Sequence, residues 1–72
     1  MTGRILRRHR RGFGFIRSDI VSRDVFFPAW AVDRGHGYIF DELEPGMTVS
    51  FDLTFDDAGR PQGQHVRVIT DV

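Results

Sequence analysis

Hydrophobic and polar residues alternate along several short stretches of this chain. In the clearest stretch, residues 49–55, Val, Phe, Leu and Phe alternate with Ser, Asp and Thr. A period of two residues is typical of a β-strand with one buried face. Further β-prone stretches lie at residues 5–6, 12–17, 25–27 and 66–69. The pattern therefore predicts five short strands.

Polar segments that contain glycine or proline separate these strands. Turn signals occur at residues 18–19, 45–46 and 56–61, and residues 34–37 indicate a loop. Residues 29–33 are long enough for one helical turn only. Five short strands joined by such turns are typical of a small all-β domain that closes into a barrel. We expect one domain, residues 1–72.

The strongest local signal lies at residues 11–17, which read RGFGFIR. In a strand, Phe13 and Phe15 share one face, about 7 Å apart, and the glycines point to the other face. Arg11 and Arg17 flank the two rings. Aromatic rings between guanidinium groups form a surface on which unpaired bases stack and phosphates bind. The alternative is that the rings pack under a loop or against a neighbouring strand.

A second aromatic cluster lies at residues 24–30, which read DVFFPAW. If Phe27 points into the barrel, its neighbour Phe26 points outward and joins the first two rings. Trp30 has two interpretations, a plug that closes one end of the barrel or a part of the exposed aromatic surface. Tyr38 follows in the next loop.

The charges are unevenly distributed, although the net charge is zero. Residues 1–17 carry +6, residues 18–40 carry −1 and residues 41–72 carry −5. All ten basic residues are arginines, whose planar groups stack on bases and bind phosphates through paired hydrogen bonds. The first third of the chain therefore predicts an electropositive face. The alternative is that these arginines pair with the acidic C-terminal half.

Several classes of protein are excluded by composition. The chain has no cysteine, hence no disulfide and no thiolate metal site. It has no apolar stretch of the roughly 18 residues that span a membrane, and no apolar run typical of a signal peptide. We therefore expect a cytoplasmic protein without a membrane partner. His9, His36 and His65 lack the spacing of a metal site, and we expect no metal, no cofactor and no enzyme activity.

Five motifs, taken in order, resemble the cold-shock domain family. They are GFGFI at residues 12–16, DVFF at 24–27, FDELEPG at 40–46, VSF at 49–51, and GRPQ at 59–62 followed by Val66. The resemblance extends from about residue 3 to residue 68. It implies a five-stranded antiparallel barrel of the OB-fold type that binds single-stranded RNA or DNA. It also implies that Phe13, Phe15, Phe26 and Phe40 stack on bases.

The chain departs from the family on its first strand. Where the family has Lys-Trp-Phe-Asn, residues 6–9 read LRRH, and one residue is missing before Gly12. A stacking ring is therefore lost, and the register of Arg7 and Arg8 stays open. We expect the same mode of binding with fewer rings and a larger electrostatic contribution.

A second group of departures follows the third strand. Pro28 stands where the family has a histidine, and Ala29 where it has an aromatic residue. Trp30 comes one place later and is the candidate replacement. The loop at residues 33–39 is longer than in the family and contains His36 and Tyr38.

An RNA-recognition-motif domain also contains Lys/Arg-Gly-Phe-Gly-Phe. That motif requires an aromatic residue where this chain has Ser18, and that fold requires a strand and a helix before the motif. Only ten residues precede the motif here, so both facts argue against this interpretation.

The predicted function is binding of single-stranded RNA or DNA with low sequence specificity, of the kind that RNA chaperones show. The predicted binding residues are four arginines and six aromatic residues: Arg7, Arg8, Arg11, Arg17, Phe13, Phe15, Phe26, Trp30, Tyr38 and Phe40. We expect a monomer, with a homodimer as the alternative. The competing function is protein–protein interaction or self-association on a degenerate cold-shock barrel, which retention on an oligo(dT) column would distinguish.

Overall fold

The computed structural model describes residues 1–35 and 37–69. Five strands form the fold: β1 (Thr2–His9), β2 (Phe13–Arg17), β3 (Val25–Pro28), β4 (Thr48–Phe55) and β5 (Pro61–Val68). Two single 3₁₀ turns, Ala29–Ala31 and Phe40–Glu42, lie between β3 and β4. His36, which the sequence places in a loop, lies outside the described residues. No helix in the described ranges has the length and apolar character to cross a membrane.

The strands close into a barrel in the order β1-β2-β3-β5-β4. Four of the five neighbouring pairs are antiparallel. The fifth pair, β3 with β5, is parallel, and Phe26 lies opposite Gln62 there. An odd number of strands cannot alternate in direction around a closed ring, so one parallel pair is required. The predicted all-β, five-stranded, mainly antiparallel barrel is confirmed.

Side chains that alternate along the strands fill the barrel interior. The largest fully buried side chains are Phe27, Phe51, Ile5, Ile16, Leu43, Val25, Val49 and Val66. Gly14 makes room for one of them, because a Cβ atom there would lie 2.7 Å from Cζ of Phe27. The glycine between the two phenylalanines of β2 is therefore needed by the core behind them.

β5 begins earlier than the hydrophobic stretch at residues 66–69 predicts. Its pairing with β4 runs from Pro61 opposite Phe55 to Val68 opposite Val49, with an extra residue in β5 near His65. His65 has a φ of 52°, in the left-handed region that non-glycine residues rarely adopt. The bulge interrupts the alternation, so the hydrophobic pattern marks only the end of the strand.

β1 also contains a bulge, and this one determines which residues face outward. Ile5 pairs with Ile16, but Arg7 pairs with Phe15, so Leu6 is an extra residue in β1. Regular alternation would put Arg7 on the same side as the buried Ile5. Because a one-residue insertion reverses the faces, every residue of β1 after Leu6 points to the opposite side.

Candidate nucleic-acid interface

Three phenylalanine rings form a cluster on the outer surface of β2 and β3. The centroids of the Phe13 and Phe15 rings are 6.0 Å apart, and the Phe26 ring lies 5.8 Å from the first and 5.9 Å from the second. All three side chains are half-buried. We call these rings the phenylalanine triangle.

Strand alternation and pairing create the triangle. Phe15 lies opposite Phe26 in the β2–β3 pair, and Phe13 lies opposite Pro28. Phe27, the neighbour of Phe26, points the other way and is fully buried. The structure thus brings together the three rings that the sequence places on one outer face.

Arg7 reaches the triangle because of the bulge at Leu6. It lies opposite Phe15, and its Cζ atom is 4.8 Å from the centroid of the Phe15 ring. A guanidinium group over an aromatic ring is held by the attraction between the cation and the ring electrons. Among the residues that the structure describes, no acid or carbonyl accepts a hydrogen bond from the Arg7 side chain. This guanidinium group is therefore both positioned and free to bind a ligand.

His9 extends the aromatic surface and was missed by the sequence analysis. Its ring stacks on Phe13 at a centroid distance of 4.7 Å and an interplanar angle of 5°. The turn between β1 and β2 holds this ring, since His9 Nδ1 accepts a hydrogen bond from the Arg11 N–H at 3.2 Å. Gly12 completes the turn with a φ of 103°. The open register of β1 left undecided whether the face that Arg7 and His9 share points outward.

Arg8 does not join this surface, which corrects its prediction as a binding residue. Its side chain is 28% exposed, and Nε donates a hydrogen bond to the carbonyl oxygen of Leu43 at 2.9 Å. Its Cζ atom lies 5.6 Å from the centroid of the Phe40 ring. The reversal of faces at Leu6 turns Arg8 towards the barrel end, where it holds residues 40–43 against β1.

Phe40 is a core residue, which corrects its prediction as an exposed stacking ring. It is 9% exposed and makes an edge contact with Phe27 at a centroid distance of 6.0 Å. Phe40 begins the turn Phe40–Glu42 and points into the barrel, whereas the preceding Ile39 is 63% exposed. Its ring therefore offers no open face to a base in this structure.

Arg11 and Arg17 lie on either side of the triangle, but they differ in their partners. Arg11 is exposed in the turn before β2, and within the described ranges no acid pairs with it. Arg17 ends β2, and its Nη2 atom lies 3.1 Å from Oδ1 of Asp24. Arg17 therefore offers less uncompensated charge to a phosphate than Arg11 does.

Trp30 is 78% exposed and lies in the turn Ala29–Ala31, so it is not a plug of the barrel. The preceding residue, Ala29, is held next to the start of β2, because its N–H donates a hydrogen bond to the Gly12 carbonyl at 2.7 Å. Trp30 and the half-buried Tyr38 line a cleft of about 410 Å³. Both predicted residues thus line a surface cleft that contains none of the three rings of the triangle.

A second cleft, of about 300 Å³, borders two rings of the triangle. It is lined by Phe15, Phe26, Arg23, Asp24, Asp56, Arg60, Pro61 and Gln62. Gln62 lies opposite Phe26 across the parallel strand pair and was not predicted as a site residue, although it belongs to the GRPQ motif. The cleft places polar side chains next to two of the three rings.

The two acids of this cleft are each matched by an arginine. The Arg60 backbone N–H, followed by the Arg60 side chain, holds the pKa of the Asp56 carboxyl below its usual value. Asp56 Oδ2 accepts a hydrogen bond from Arg60 Nε at 2.8 Å, and Asp24 pairs with Arg17. The cleft therefore adds little net negative charge next to the triangle.

The site consists of aromatic rings and guanidinium groups. No group of three potential metal ligands occurs in the described part of the chain. The family model described as the 'Cold-shock' DNA-binding domain matches residues 1–69, nearly the whole chain. None of the curated proteins matches the sequence.

Proposed function

We propose that this chain, which belongs to the cold-shock DNA-binding domain family, binds unpaired RNA or DNA strands. In this proposal, bases stack on the phenylalanine triangle while nearby arginines bind the phosphates. The observation that carries it is the triangle itself, with three rings 5.8 to 6.0 Å apart beside a guanidinium group that has no acid partner in the described ranges.

Stacking requires a base whose face is open. Bases in a duplex are already stacked and paired, so half-buried rings on an outer surface, such as Phe13 and Phe26, favour single strands. Every base has a π-face, and stacking alone therefore gives low sequence specificity. The cytoplasmic location expected from the sequence remains part of this proposal.

A competition experiment tests the preference for single strands. A labelled single strand of about eight nucleotides, within the usual site size of an OB-fold, would be bound and then displaced by unlabelled competitors. The same sequence should compete well as a single strand and poorly as a duplex. Equal or better competition by the duplex would show that the triangle is not the binding surface.

A variant tests the role of the rings. Phe26→Ala should weaken binding by about 5- to 150-fold, since one base stack contributes about 1–3 kcal/mol. Phe55→Ala is the matched control, because Phe55 is 63% exposed and lies outside the triangle. Thermal melting of both variants would show whether the fold persists. Equal affinities for the two variants would contradict the proposal.

A further inference from the structure

We infer that Arg7 gives this surface a preference for guanine at one position of the bound strand. The inference rests on the proposed function and adds one base preference to otherwise unspecific stacking. It starts from the position of the Arg7 guanidinium group, 4.8 Å from the centroid of the Phe15 ring.

Two features of the fold fix the position of Arg7, namely the register of β1 and the packing of the Phe15 ring. The bulge at Leu6 puts the side chain on the outer face, directly opposite Phe15 in the β1–β2 pair. The Phe15 ring is itself held by edge contacts with Phe13 and Phe26, at interplanar angles of 89° and 68°. A cation held over an immobilised ring loses little further freedom when it binds a ligand.

The donors of Arg7 have no acceptor in the described part of the protein. The two acids in the cleft beside Phe15 do not compete for them, since Asp24 pairs with Arg17 and Asp56 pairs with Arg60. The planar N–H donors of Arg7 are therefore available to a ligand that binds on the phenylalanine triangle.

These donors fit a ligand with two adjacent acceptors in one plane. Guanine provides such a pair at O6 and N7, and an arginine on this edge is the commonest specific contact between proteins and bases. Cytosine also has two adjacent acceptors when it is unpaired, but its single ring gives less area for stacking beside Arg7. A phosphate accepts the same paired hydrogen bonds and carries no base information. Guanine is therefore the base that we expect Arg7 to prefer.

Modified bases test this inference directly. The reference strand is oligo(dT) with one central guanine, compared with the same strand carrying hypoxanthine, 7-deazaguanine, cytosine or thymine at that position. Hypoxanthine keeps O6 and N7, whereas 7-deazaguanine replaces N7 by a C–H group. Guanine and hypoxanthine should bind about five- to tenfold more tightly than the other three bases, near the lower limit of a bidentate contact.

The matched variants are Arg7→Lys and Arg10→Lys. Both keep the charge and remove the planar donors, and both arginines are exposed. Arg7→Lys should abolish the difference between guanine and 7-deazaguanine, and Arg10→Lys should preserve it. The same preference in Arg7→Lys as in the wild type would overturn the inference.

The remaining outcomes separate this inference from the function on which it rests. Equal binding of all five strands by the wild type would overturn the guanine preference and leave Arg7 as a phosphate contact. Tighter binding of cytosine than of guanine would overturn it as well. Failure of the wild type to bind any strand would instead refute the proposed function.

Discussion

Two groups of arginines in this barrel differ in what surrounds each guanidinium group. On the β4–β5 side, Nε of Arg60 lies 2.8 Å from Asp56, and Nε of Arg67 lies 2.6 Å from Asp33. Around β1 and the turn that follows it, four arginines have no ion pair within the described ranges: Arg4, Arg7, Arg10 and Arg11.

The difference shows that the two charged segments of the sequence do not neutralise each other across the barrel. In the part of the chain that the structure describes, Arg8 is the one N-terminal arginine that reaches an acid of residues 41–69, at 3.9 Å from Asp41. Arginines that already have an acid partner stabilise local structure, by small amounts when the pair is exposed. Arginines without one remain available for phosphates, whose binding releases counterions.

Salt dependence tests this contrast and carries the largest expected effect. If three or four unpaired arginines bind phosphates, a plot of log K against log salt should have a slope of about −2 to −3, at about −0.7 per phosphate for single strands. The double variant Arg10→Gln, Arg11→Gln should flatten the slope by about 1.4. The ratio of wild-type to variant affinity should therefore be about 25-fold larger at 0.1 M salt than at 1 M salt. Titrations at several salt concentrations measure both quantities.

The matched control removes two arginines that have acid partners. Arg60→Gln with Arg67→Gln changes the net charge by the same amount as the first double variant. Since both guanidinium groups already bind aspartates, this control should change the slope by much less. If the two double variants flatten the slope equally, the binding responds only to total charge, and the division of the arginines into two regions has no functional meaning.

Arg8 sharpens the contrast. It lies among the N-terminal arginines in the sequence, but its side chain contacts Leu43 and Phe40 within the fold. Arg8→Gln removes the charged hydrogen bond to the Leu43 carbonyl and the contact with the Phe40 ring. The free energy of unfolding should fall by about 1–2 kcal/mol, with the salt slope of binding unchanged. Denaturant unfolding beside a salt titration measures both. If Arg8→Gln flattens the salt slope and leaves the free energy of unfolding unchanged, Arg8 binds phosphate and does not stabilise the fold.

Much of the fold follows from the sequence, because alternation identifies strands whose faces differ in polarity. Residues 49–55 show the pattern without interruption, and β4 extends over Thr48–Phe55. The hydrophobic pattern predicts only the end of β5, since residues 62–65 are polar or glycine and the bulge near His65 breaks the period. The position of a β-bulge depends on how the strand pairs with its neighbour, and a single sequence does not contain that pairing.

The same limit determines which parts of the site could be predicted. Phe13, Phe15 and Phe26 follow from regular alternation, and the structure groups them. The bulge at Leu6 turns Arg8 away from the triangle and His9 towards it, and the sequence predicts neither orientation. Whether each residue of β1 after Leu6 points into the barrel or outward depends on the bulge at Leu6.

Acid stability carries the smallest expected effect and tests the region of paired charges alone. A hydrogen bond from Arg67 and a second one from His65 outweigh desolvation and lower the pKa of the Asp33 carboxyl below its usual value of 3.8. A carboxyl whose pKa is depressed on folding stabilises the fold above its unfolded pKa, and this contribution is lost as the pH falls through the folded pKa. The contribution of Asp33 should therefore be complete at neutral pH and decline below about pH 4.

Asp33→Asn should lower the melting temperature slightly at pH 7 and make it less sensitive to pH below about pH 4. Asp57→Asn is the control, since Asp57 is exposed and has no ion pair in the described part of the chain. It should keep the acid sensitivity of the wild type. Melting curves of all three proteins from pH 7 to pH 2.5, a range of about one unit or more on either side of the usual carboxyl values, measure the difference. Identical curves for Asp33→Asn and Asp57→Asn would mean that the Arg67–Asp33 pair contributes no stability. The separation of binding arginines from structural ones would then rest on Arg8 and on the Arg60–Asp56 pair.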